Sequence, residues 1–325
     1  MKKQDQLKGK VVVITGASSG AGRATALEVA KQGGSVVLAA RREEVLNEVA
    51  EECRLLGGDA LVVPTDVTDA GQMNTLAAMA QHWGGKIDAW VNNAGILAAG
   101  AFDETPISVH EKIIETNLIG YIHGAHAVLP HFKAQGYGIV INNISVGGWF
   151  PTPYASSYSA SKFGLRGFGE SLQGELLHYP NIHVCNLYPA FLDTPGIQHA
   201  ANFTGKVLRP APPIYNPQRI AKAMAHLITH PKNQTSVTAT STLLRVAHAI
   251  FPGISRRVTA NVIEIYLRNA DKTPYTTGNV FEPVEFGTSI HGGWEIKPKT
   301  KAALFGAAIV ATGLAIGISV LKMRK

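Results

Sequence analysis

A tyrosine and a lysine near the middle of the chain are spaced so that they could transfer a proton together. Tyr158 and Lys162 are four residues apart in the segment YSASK, and a helix would place both side chains on one face. A free phenol has a pKa of about 10, so it acts as an acid near neutral pH only beside a cation such as an ammonium group. The spacing alone is a weak signal, because it also arises by chance.

Two further polar residues complete a candidate catalytic set. Ser145 follows the apolar run GIVINNI, and Asn117 lies in the helical pattern TNLIG. If that run is a strand, Ser145 lies at the carboxyl edge of a sheet, where ligands bind in open α/β folds. The four side chains indicate acid–base chemistry with Tyr158 as the general acid. The alternative for each of them is a structural role in capping or core hydrogen bonding.

The chain contains elements that would position such a set. Continuous apolar, β-branched runs predict buried strands of a parallel sheet at 11–15, 35–40, 60–64, 87–92, 138–144 and 182–188. Apolar residues at helical spacing predict intervening helices, including 21–32, 43–56, 70–83 and 157–178. This alternation predicts a doubly wound, Rossmann-like α/β fold with three layers.

The second half of the chain follows a different pattern. Residues 190–217 contain five prolines and predict a long substrate loop or lid. After it we expect a helix over 217–230, a short last strand over 236–240 and two helices over 242–251 and 254–269, whereas 271–296 predict no regular structure. The expected domains are a cofactor-binding and catalytic domain (1–241), a helical and irregular extension (242–301) and a transmembrane helix (302–321).

The positive charge is concentrated at the carboxyl end. The chain has 30 Lys and Arg against 23 Asp and Glu, a formal charge of +7. Residues 297–325 hold six basic and no acidic side chains, whereas residues 11–296 carry a charge of −2. A nearly neutral body disfavours nucleic-acid binding, so we expect no nucleic-acid partner.

The uncharged segment 302–321 predicts a single membrane anchor. As a helix its twenty residues would span roughly 30 Å, the thickness of the hydrocarbon core. A buried core helix is the alternative. Lysines lie on both sides of the segment and give no orientation, and the N-terminus lacks a signal-peptide pattern, so a cytosolic catalytic domain is expected. Gly313 and Gly317 could pair two such helices, or could reflect composition only.

A glycine-rich turn follows the first predicted strand. Glycines at positions 16, 20 and 22 would let the backbone approach a pyrophosphate, and the following helix would offer free N–H groups. The alternative is a tight strand–helix turn. The second predicted strand ends at Ala40, where NAD sites usually carry a carboxylate, and Arg41 and Arg42 follow. Because a guanidinium pairs with a 2′-phosphate, this end favours NADP(H). Two solvated arginines opening a helix are the alternative.

These motifs resemble those of the short-chain dehydrogenase/reductase family. The segment TGASSGAG, Asp66-Val67, Asn92-Asn93-Ala94-Gly95, Asn117, Ser145 and YSASK match the family's order and spacing over about residues 8–195. One departure is Pro189-Ala190, where the family commonly has Pro-Gly, and the added methyl group is expected to alter that turn locally.

The resemblance implies a role for each matching residue. Tyr158 would protonate a carbonyl oxygen as hydride arrives, Ser145 would hydrogen-bond that oxygen, Lys162 would supply the charge and bind the nicotinamide ribose, and Asn117 would hold a water. The expected cofactor-binding residues are Thr15, Gly16, Ser18, Ser19, Gly20, Ala21, Gly22, Arg41, Arg42, Asp66, Val67, Asn93, Ala94, Gly95, Tyr158, Lys162, Pro189 and Thr194. Assembly as a homodimer or homotetramer is compatible with the resemblance.

Other chemistries are disfavoured by the sequence. His123 and His126 are three residues apart, but no third ligand is evident, so no metal is expected. Aromatic and apolar residues on the expected substrate side (Trp149, Phe150, Tyr154, Phe191, Leu192) favour an apolar carbonyl or alcohol substrate, with ordinary packing as the alternative. The rival to an active oxidoreductase is a catalytically silent NADP(H)-binding scaffold or redox-sensing module at a membrane.

Overall fold

A seven-stranded parallel sheet forms the centre of the computed structural model, which describes residues 6–294. The strands of the chain are β1 (Val11–Thr15), β2 (Ser35–Ala40), β3 (Ala60–Pro64), β4 (Ala89–Asn92), β5 (Ala98–Ala99), β6 (Gly138–Asn143), β7 (Ile182–Tyr188), β8 (Ala201–Asn202) and β9 (Gln234–Ser236). The large sheet has the order β3-β2-β1-β4-β6-β7-β9, and β5 pairs with β8 separately. The strand order reverses between β1 and β4, which opens a crevice at their carboxyl ends.

Helices cover both faces of the sheet. They are α1 (Gly20–Lys31), α2 (Glu43–Leu55), α3 (Ala70–Gly84), α4 (Ile107–Ile114), α5 (Gly120–Gln135), α6 (Ser156–Glu175), α7 (Gln218–Leu227), α8 (Ala239–Ile250) and α9 (Pro252–Asn269). Local chemistry sets several of their ends: the Asp69 carboxylate accepts hydrogen bonds from Gly71 N and Gln72 N at the start of α3, and Gly85, with φ +69°, ends that helix. The doubly wound α/β fold is therefore confirmed.

The apolar residues of each central strand follow one another without interruption because both faces of the sheet pack against helices. In β1, Val12 and Ile14 belong to one buried apolar cluster, and Val11 and Val13 belong to another. All four side chains are at most 5% exposed. Alternate residues of a strand point to opposite faces, so both faces need apolar side chains.

A ladder of buried amides crosses three strands near the crevice. Asn92, Asn142 and Asn186 are register partners on β4, β6 and β7. Asn92 Nδ2 donates to Asn142 Oδ1 at 3.0 Å, and Asn142 Nδ2 donates to Asn186 Oδ1 at 3.1 Å. Because a buried amide without a hydrogen-bond partner is unfavourable, these two bonds hold β4, β6 and β7 in a fixed lateral position relative to one another. Asn142 of this amide ladder lies three residues before Ser145, the predicted catalytic residue that follows β6.

The structure corrects several parts of the sequence prediction. The strand predicted at 236–240 is wrong: β9 covers Gln234–Ser236, and α8 already begins at Ala239 after a cap in which Thr238 Oγ1 accepts from Ser241 N. The helical region 107–135 was predicted only around TNLIG, but it contains α4, a π-helical turn (Glu115–Ile119) and α5. The strand predicted at 138–144 also ends one residue earlier, at Asn143.

The carboxyl-terminal part of the described chain folds back over the body. Beyond α9 the described residues 271–294 are irregular, as predicted, and residues 279–294 make hydrogen bonds to α1, to the turn after β2 and to the loop after β7. We call residues 279–294 the strap. Across residues 6–294 we find no helix with the length and apolar character needed to span a membrane. The span predicted at 302–321 lies outside the described residues.

Candidate active site

Three of the four predicted catalytic side chains converge at one point. A methyl group added at Gly147 would lie 3.1 Å from Tyr158 Cε1, 3.6 Å from Ser145 Oγ and 3.7 Å from Lys162 Cγ. Ser145 and Gly147 come from the loop after β6, whereas Tyr158 and Lys162 share one face of α6. The convergence brings a hydroxyl, a phenol and an ammonium group together beside the crevice.

The backbone at Ser145 is held in a conformation that non-glycine residues rarely adopt. Its φ is +101°, and its Oγ accepts a hydrogen bond from Gly147 N at 3.1 Å. Val146 N donates to Pro189 O at 2.7 Å, which ties this loop to the end of β7. A strained polar residue that its surroundings hold in place is typical of functional sites.

Lys162 is a buried ammonium group. It is 4% exposed, its Nζ lies 3.4 Å from Asn143 O, and it lies 5.6 Å from the ring centroid of Tyr158 and 5.2 Å from that of Tyr121. No carboxylate of residues 6–294 forms an ion pair with it. Burial therefore lowers its pKa from the ordinary 10.5 to about 7.

Tyr158 is kept in its protonated form by its surroundings. It packs against an apolar cluster that includes Ile96, Val109 and Val280. Burial raises the pKa of the phenol, and hydrogen bonding to the Ser145 hydroxyl partly offsets the rise. The side chain is therefore a proton donor at neutral pH, which is the form that carbonyl reduction requires.

Asn117 has a structural setting that the sequence did not reveal. It lies in the π-helical turn and is completely buried. Its side chain accepts from Ile96 N at 2.8 Å and donates to Ile96 O at 2.9 Å, and it lies 3.3 Å from Oγ of Ser161, the neighbour of Lys162. These bonds join the π-helical turn to the segment after β4 and to α6. The water-holding role of Asn117 stays a prediction.

The glycine-rich turn is packed closely against the segment after β4. Thr15 Oγ1 accepts from Asn93 N at 3.0 Å and Ala94 N at 3.2 Å, and Asn93 Nδ2 donates to Thr15 O and Gly16 O. Gly16 has a φ of +65°, and a methyl group there would lie 2.7 Å from Ala94 Cα. At Gly22 a methyl group would lie 2.1 Å from Gly16 O. The turn therefore requires glycine at both positions.

The start of α1 presents a positive end of the backbone to the crevice. Ser19 precedes the helix without a side-chain cap, and the first turn holds no acidic residue. Gly20 N donates instead to Ser289 O of the strap at 3.0 Å. Free N–H groups and the helix dipole favour an anion at such a terminus.

The two arginines after β2 also contact the strap. Arg41 donates to Asn279 O at 2.9 Å and Phe281 O at 2.7 Å. Arg42 donates to Val284 O at 2.7 Å and to Ser18 Oγ at 3.1 Å. Burial and the adjacent Arg41 lower the pKa of the Arg42 guanidinium. Both guanidinium groups thus donate to main-chain carbonyl or hydroxyl oxygens and not to carboxylates.

The remaining predicted cofactor residues lie around the same crevice. Asp66 accepts from Thr68 N at 2.9 Å and shapes the turn after β3, while Val67 is buried against Gly120. Thr194 lies beside the start of α1, since its Cβ would be 3.3 Å from a methyl group on Gly20. Ala190 is 7% exposed, so the additional methyl group is accommodated within the packed turn.

Several predicted substrate-side residues make packing contacts. The Trp149 ring lies between two guanidinium groups, 4.0 Å from Arg166 and 4.0 Å from Arg245. Phe150 stacks edge-on against His248, and Leu192 packs on the apolar core. His123 Nδ1 contacts the Val67 carbonyl at 3.0 Å, and no group of three or more metal-binding side chains occurs in the described part of the chain.

Known proteins are similar to this chain in sequence and in fold. A family model described as short chain dehydrogenase matches residues 10–203, more than half of the chain. The oxidoreductase YxnA of Bacillus subtilis is 34% identical over 80% of this chain and 74% of its own length. The mouse dehydrogenase/reductase SDR family member 7 is 36% identical over 63% of this chain and 61% of its own length.

A solved structure has the same architecture. An alcohol dehydrogenase from the archaeon Thermococcus sibiricus, complexed with 5-hydroxy-NADP, is 28% identical with a TM-score of 0.61. The match covers 70% of this chain and 95% of that one. Together with the family model, these findings identify an oxidoreductase of alcohol and carbonyl groups: the chain belongs to the short-chain dehydrogenase/reductase family.

Proposed function

We propose that this protein is an NADP(H)-dependent oxidoreductase that acts on an apolar carbonyl or alcohol substrate. The convergence of Ser145, Tyr158 and Lys162 at Gly147 carries the proposal. The donor set around the crevice fits a phosphate-bearing dinucleotide, because it consists of the uncapped start of α1, two guanidinium groups and the buried ammonium of Lys162. In the Thermococcus relative, a 5-hydroxy-NADP is bound to the same fold.

The chain's own residues account for the acid–base part of the reaction. The nicotinamide group, when bound, supplies or accepts the hydride. Tyr158 then donates its phenolic proton to the carbonyl oxygen, and Ser145 Oγ holds that oxygen by a hydrogen bond. Lys162 stabilises the resulting phenolate, since an adjacent positive charge favours an anion in a low-dielectric site. In the direction of oxidation the same proton returns to Tyr158.

An absorbance screen tests the proposal. NADPH consumption is followed at 340 nm with a panel of aldehydes and ketones, from small hydrophilic sugars to steroid and long-chain carbonyl compounds, with Tyr158→Phe as the control. Turnover that is highest on apolar compounds supports the proposal, and turnover best on sugars contradicts the apolar substrate. Binding of NADPH without turnover on any compound would favour the catalytically silent scaffold.

The preference for the 2′-phosphate can be measured separately. We expect Arg41→Ala and Arg42→Ala each to weaken NADPH binding relative to NADH binding by about tenfold or more, because a hydrogen bond to a charged group contributes about 1.5–3 kcal/mol. The ratio of the two dissociation constants, obtained by fluorescence titration, isolates the phosphate from any effect common to both dinucleotides. Arg257→Ala, an exposed arginine on α9, is the control. An unchanged ratio in both variants would exclude these arginines as phosphate ligands.

We also propose that residues 302–321 anchor the protein in a membrane with the catalytic domain in the cytosol. The uncharged length and the flanking lysines support this. Deletion of 302–321 is expected to move the protein from the membrane fraction to the soluble fraction after ultracentrifugation. Protease protection of the tail in intact vesicles reports the topology. A deletion variant that still sediments with the membranes would contradict the anchor.

A further inference from the structure

The strap lies on the same groups that the proposed cofactor needs. Its main-chain carbonyls accept hydrogen bonds from the three cationic or dipolar donors described above: Asn279 and Phe281 from Arg41, Val284 from Arg42, and Ser289 from the first N–H of α1. These distances are 2.7–3.0 Å. A direct hydrogen bond at this length leaves no space for a phosphate between the partners.

From this we infer that the strap is an intramolecular competitor of the dinucleotide. The inference rests on the proposed NADP(H) function. A peptide carbonyl and a phosphate oxygen are both acceptors, so the strap satisfies in the closed form the donors that a bound dinucleotide would satisfy. Binding of NADP(H) therefore requires the strap to leave. The 2′-phosphate offsets part of the free energy of opening, because its charged oxygens accept hydrogen bonds from Arg41 and Arg42 more strongly than a carbonyl does.

Additional contacts make the closed form specific. Arg23 Nη1 donates to Thr288 O at 2.8 Å while its Nη2 lies 2.7 Å from Glu52 Oε1. The Asp193 carboxylate, 3% exposed, accepts from Trp294 N at 2.6 Å and lies 3.1 Å from His291 Nδ1. Trp294 Nε1 also lies 3.2 Å from the carbonyl of Thr194, one of the predicted cofactor residues. The strap is thus held at both sides of the crevice.

Few apolar side chains of the strap are buried, which makes it suited to opening. Of its large apolar residues Val280 is 1% exposed, whereas Phe281 is 40% and Phe286 is 57% exposed. Segments with few buried apolar contacts and mainly surface hydrogen bonds belong to the least stable parts of a protein. If the strap is open in only a minor fraction of the molecules, the apparent affinity for NADP(H) is reduced by that fraction.

Glycine substitutions within the strap test this inference in the full-length protein. A methyl group at Gly292 would lie 2.4 Å from Thr194 O, and one at Gly287, which has a φ of +68°, would lie 2.2 Å from His199 Nε2. Gly292→Val and Gly287→Val should therefore open the strap and leave the Rossmann-type body intact. Gly253→Val on α9, where a methyl group meets nothing within 4 Å, is the matched control.

We expect both strap variants to bind NADPH about tenfold more tightly than the wild type, and the control to bind as the wild type does, in fluorescence titrations without substrate. Equal or weaker binding by both strap variants overturns the inference but leaves the proposed function standing. If the wild type and all three variants fail to bind NADPH, the proposed function falls and the inference falls with it.

Limited proteolysis provides a second measurement on the wild-type protein. A glutamate-specific protease cleaves after Glu285 within the strap, whereas Glu282 is protected by the following proline. Competition predicts that NADPH accelerates cleavage after Glu285, as identified from the fragment masses. Slower cleavage with NADPH would mean that the strap closes over a bound dinucleotide, and it would overturn the competition.

Discussion

Tyr158→Phe is expected to abolish turnover and to leave NADPH binding intact. The substitution removes only the phenolic oxygen, so the ring keeps its packing against Ile96 and Val109. General acid catalysis contributes about 10²- to 10⁴-fold, and the rate constant kcat should fall by at least that range. Steady-state rates with saturating NADPH and the best substrate of the screen measure kcat, and fluorescence titration measures the dissociation constant.

A second tyrosine serves as the comparison for this variant. Tyr179 lies before β7, is 40% exposed and contacts Lys133 rather than the crevice. Tyr179→Phe should retain the wild-type kcat. Near-native turnover in Tyr158→Phe would remove the assignment of the general acid, and lost NADPH binding in that variant would show that the phenol also holds the dinucleotide.

Lys162→Met is expected to eliminate activity and at the same time to stabilise the fold below neutral pH. The ammonium is buried without a carboxylate partner among residues 6–294, and methionine fills a similar volume without a charge. The pKa of Lys162 is about 7 in the folded protein and about 10.5 in the unfolded chain. The folded state therefore binds the proton less tightly, by an amount on the order of a few kcal/mol.

The sign of the pH dependence follows from those two pKa values. Below pH 7 the lysine is protonated in both states, and its burial destabilises the folded state fully. Between about pH 7 and 10.5 only the unfolded chain keeps the proton, so the destabilisation decreases as the pH rises and vanishes above 10.5. The melting temperature of Lys162→Met should thus exceed that of the wild type most strongly near pH 6, and the difference should shrink by pH 9.

Thermal unfolding by circular dichroism across this pH range checks the prediction. Lys222→Met, an exposed lysine on α7, should leave the melting temperature unchanged at every pH. A Lys162→Met variant that melts below the wild type at pH 6 would show that the hydrogen bond to Asn143 O and the contact with the Tyr121 ring outweigh the cost of burying the charge.

Local patterns in the sequence were sufficient for the sheet and for the residues that converge at Gly147. The runs VVVIT and SVVLAA became β1 and β2 without any shift, because a strand covered on both faces needs an uninterrupted apolar sequence. YSASK became one helix face for a similarly local reason. The last strand was misplaced because β9 is a three-residue edge strand of polar sequence, QTS, with no apolar run to mark it.

Features that depend on distant contacts had no comparable signal. The bonds from Asn117 to Ile96 and Ser161 connect positions 21 and 44 residues away. The strap is bound through its main-chain carbonyls, and every residue type has such a carbonyl, so its sequence predicts irregular structure but not where it docks. The Trp149 ring contacts Arg166 of α6 and Arg245 of α8, and the second of these contacts joins parts of the chain that are far apart in the sequence.

If residues 302–321 anchor the protein as proposed, the end of the strap limits the distance between the crevice and the bilayer. Trp294 is fixed to Asp193, and the uncharged segment begins eight positions later, at Ala302. A fully extended chain covers at most about 3.6 Å per residue, so this tether reaches no further than roughly 29 Å. With 302–321 in a membrane, the closed form would keep its dinucleotide crevice within a few nanometres of the lipid surface. Opening of the strap would lengthen this tether, so the body could lie further from the bilayer or rotate relative to it.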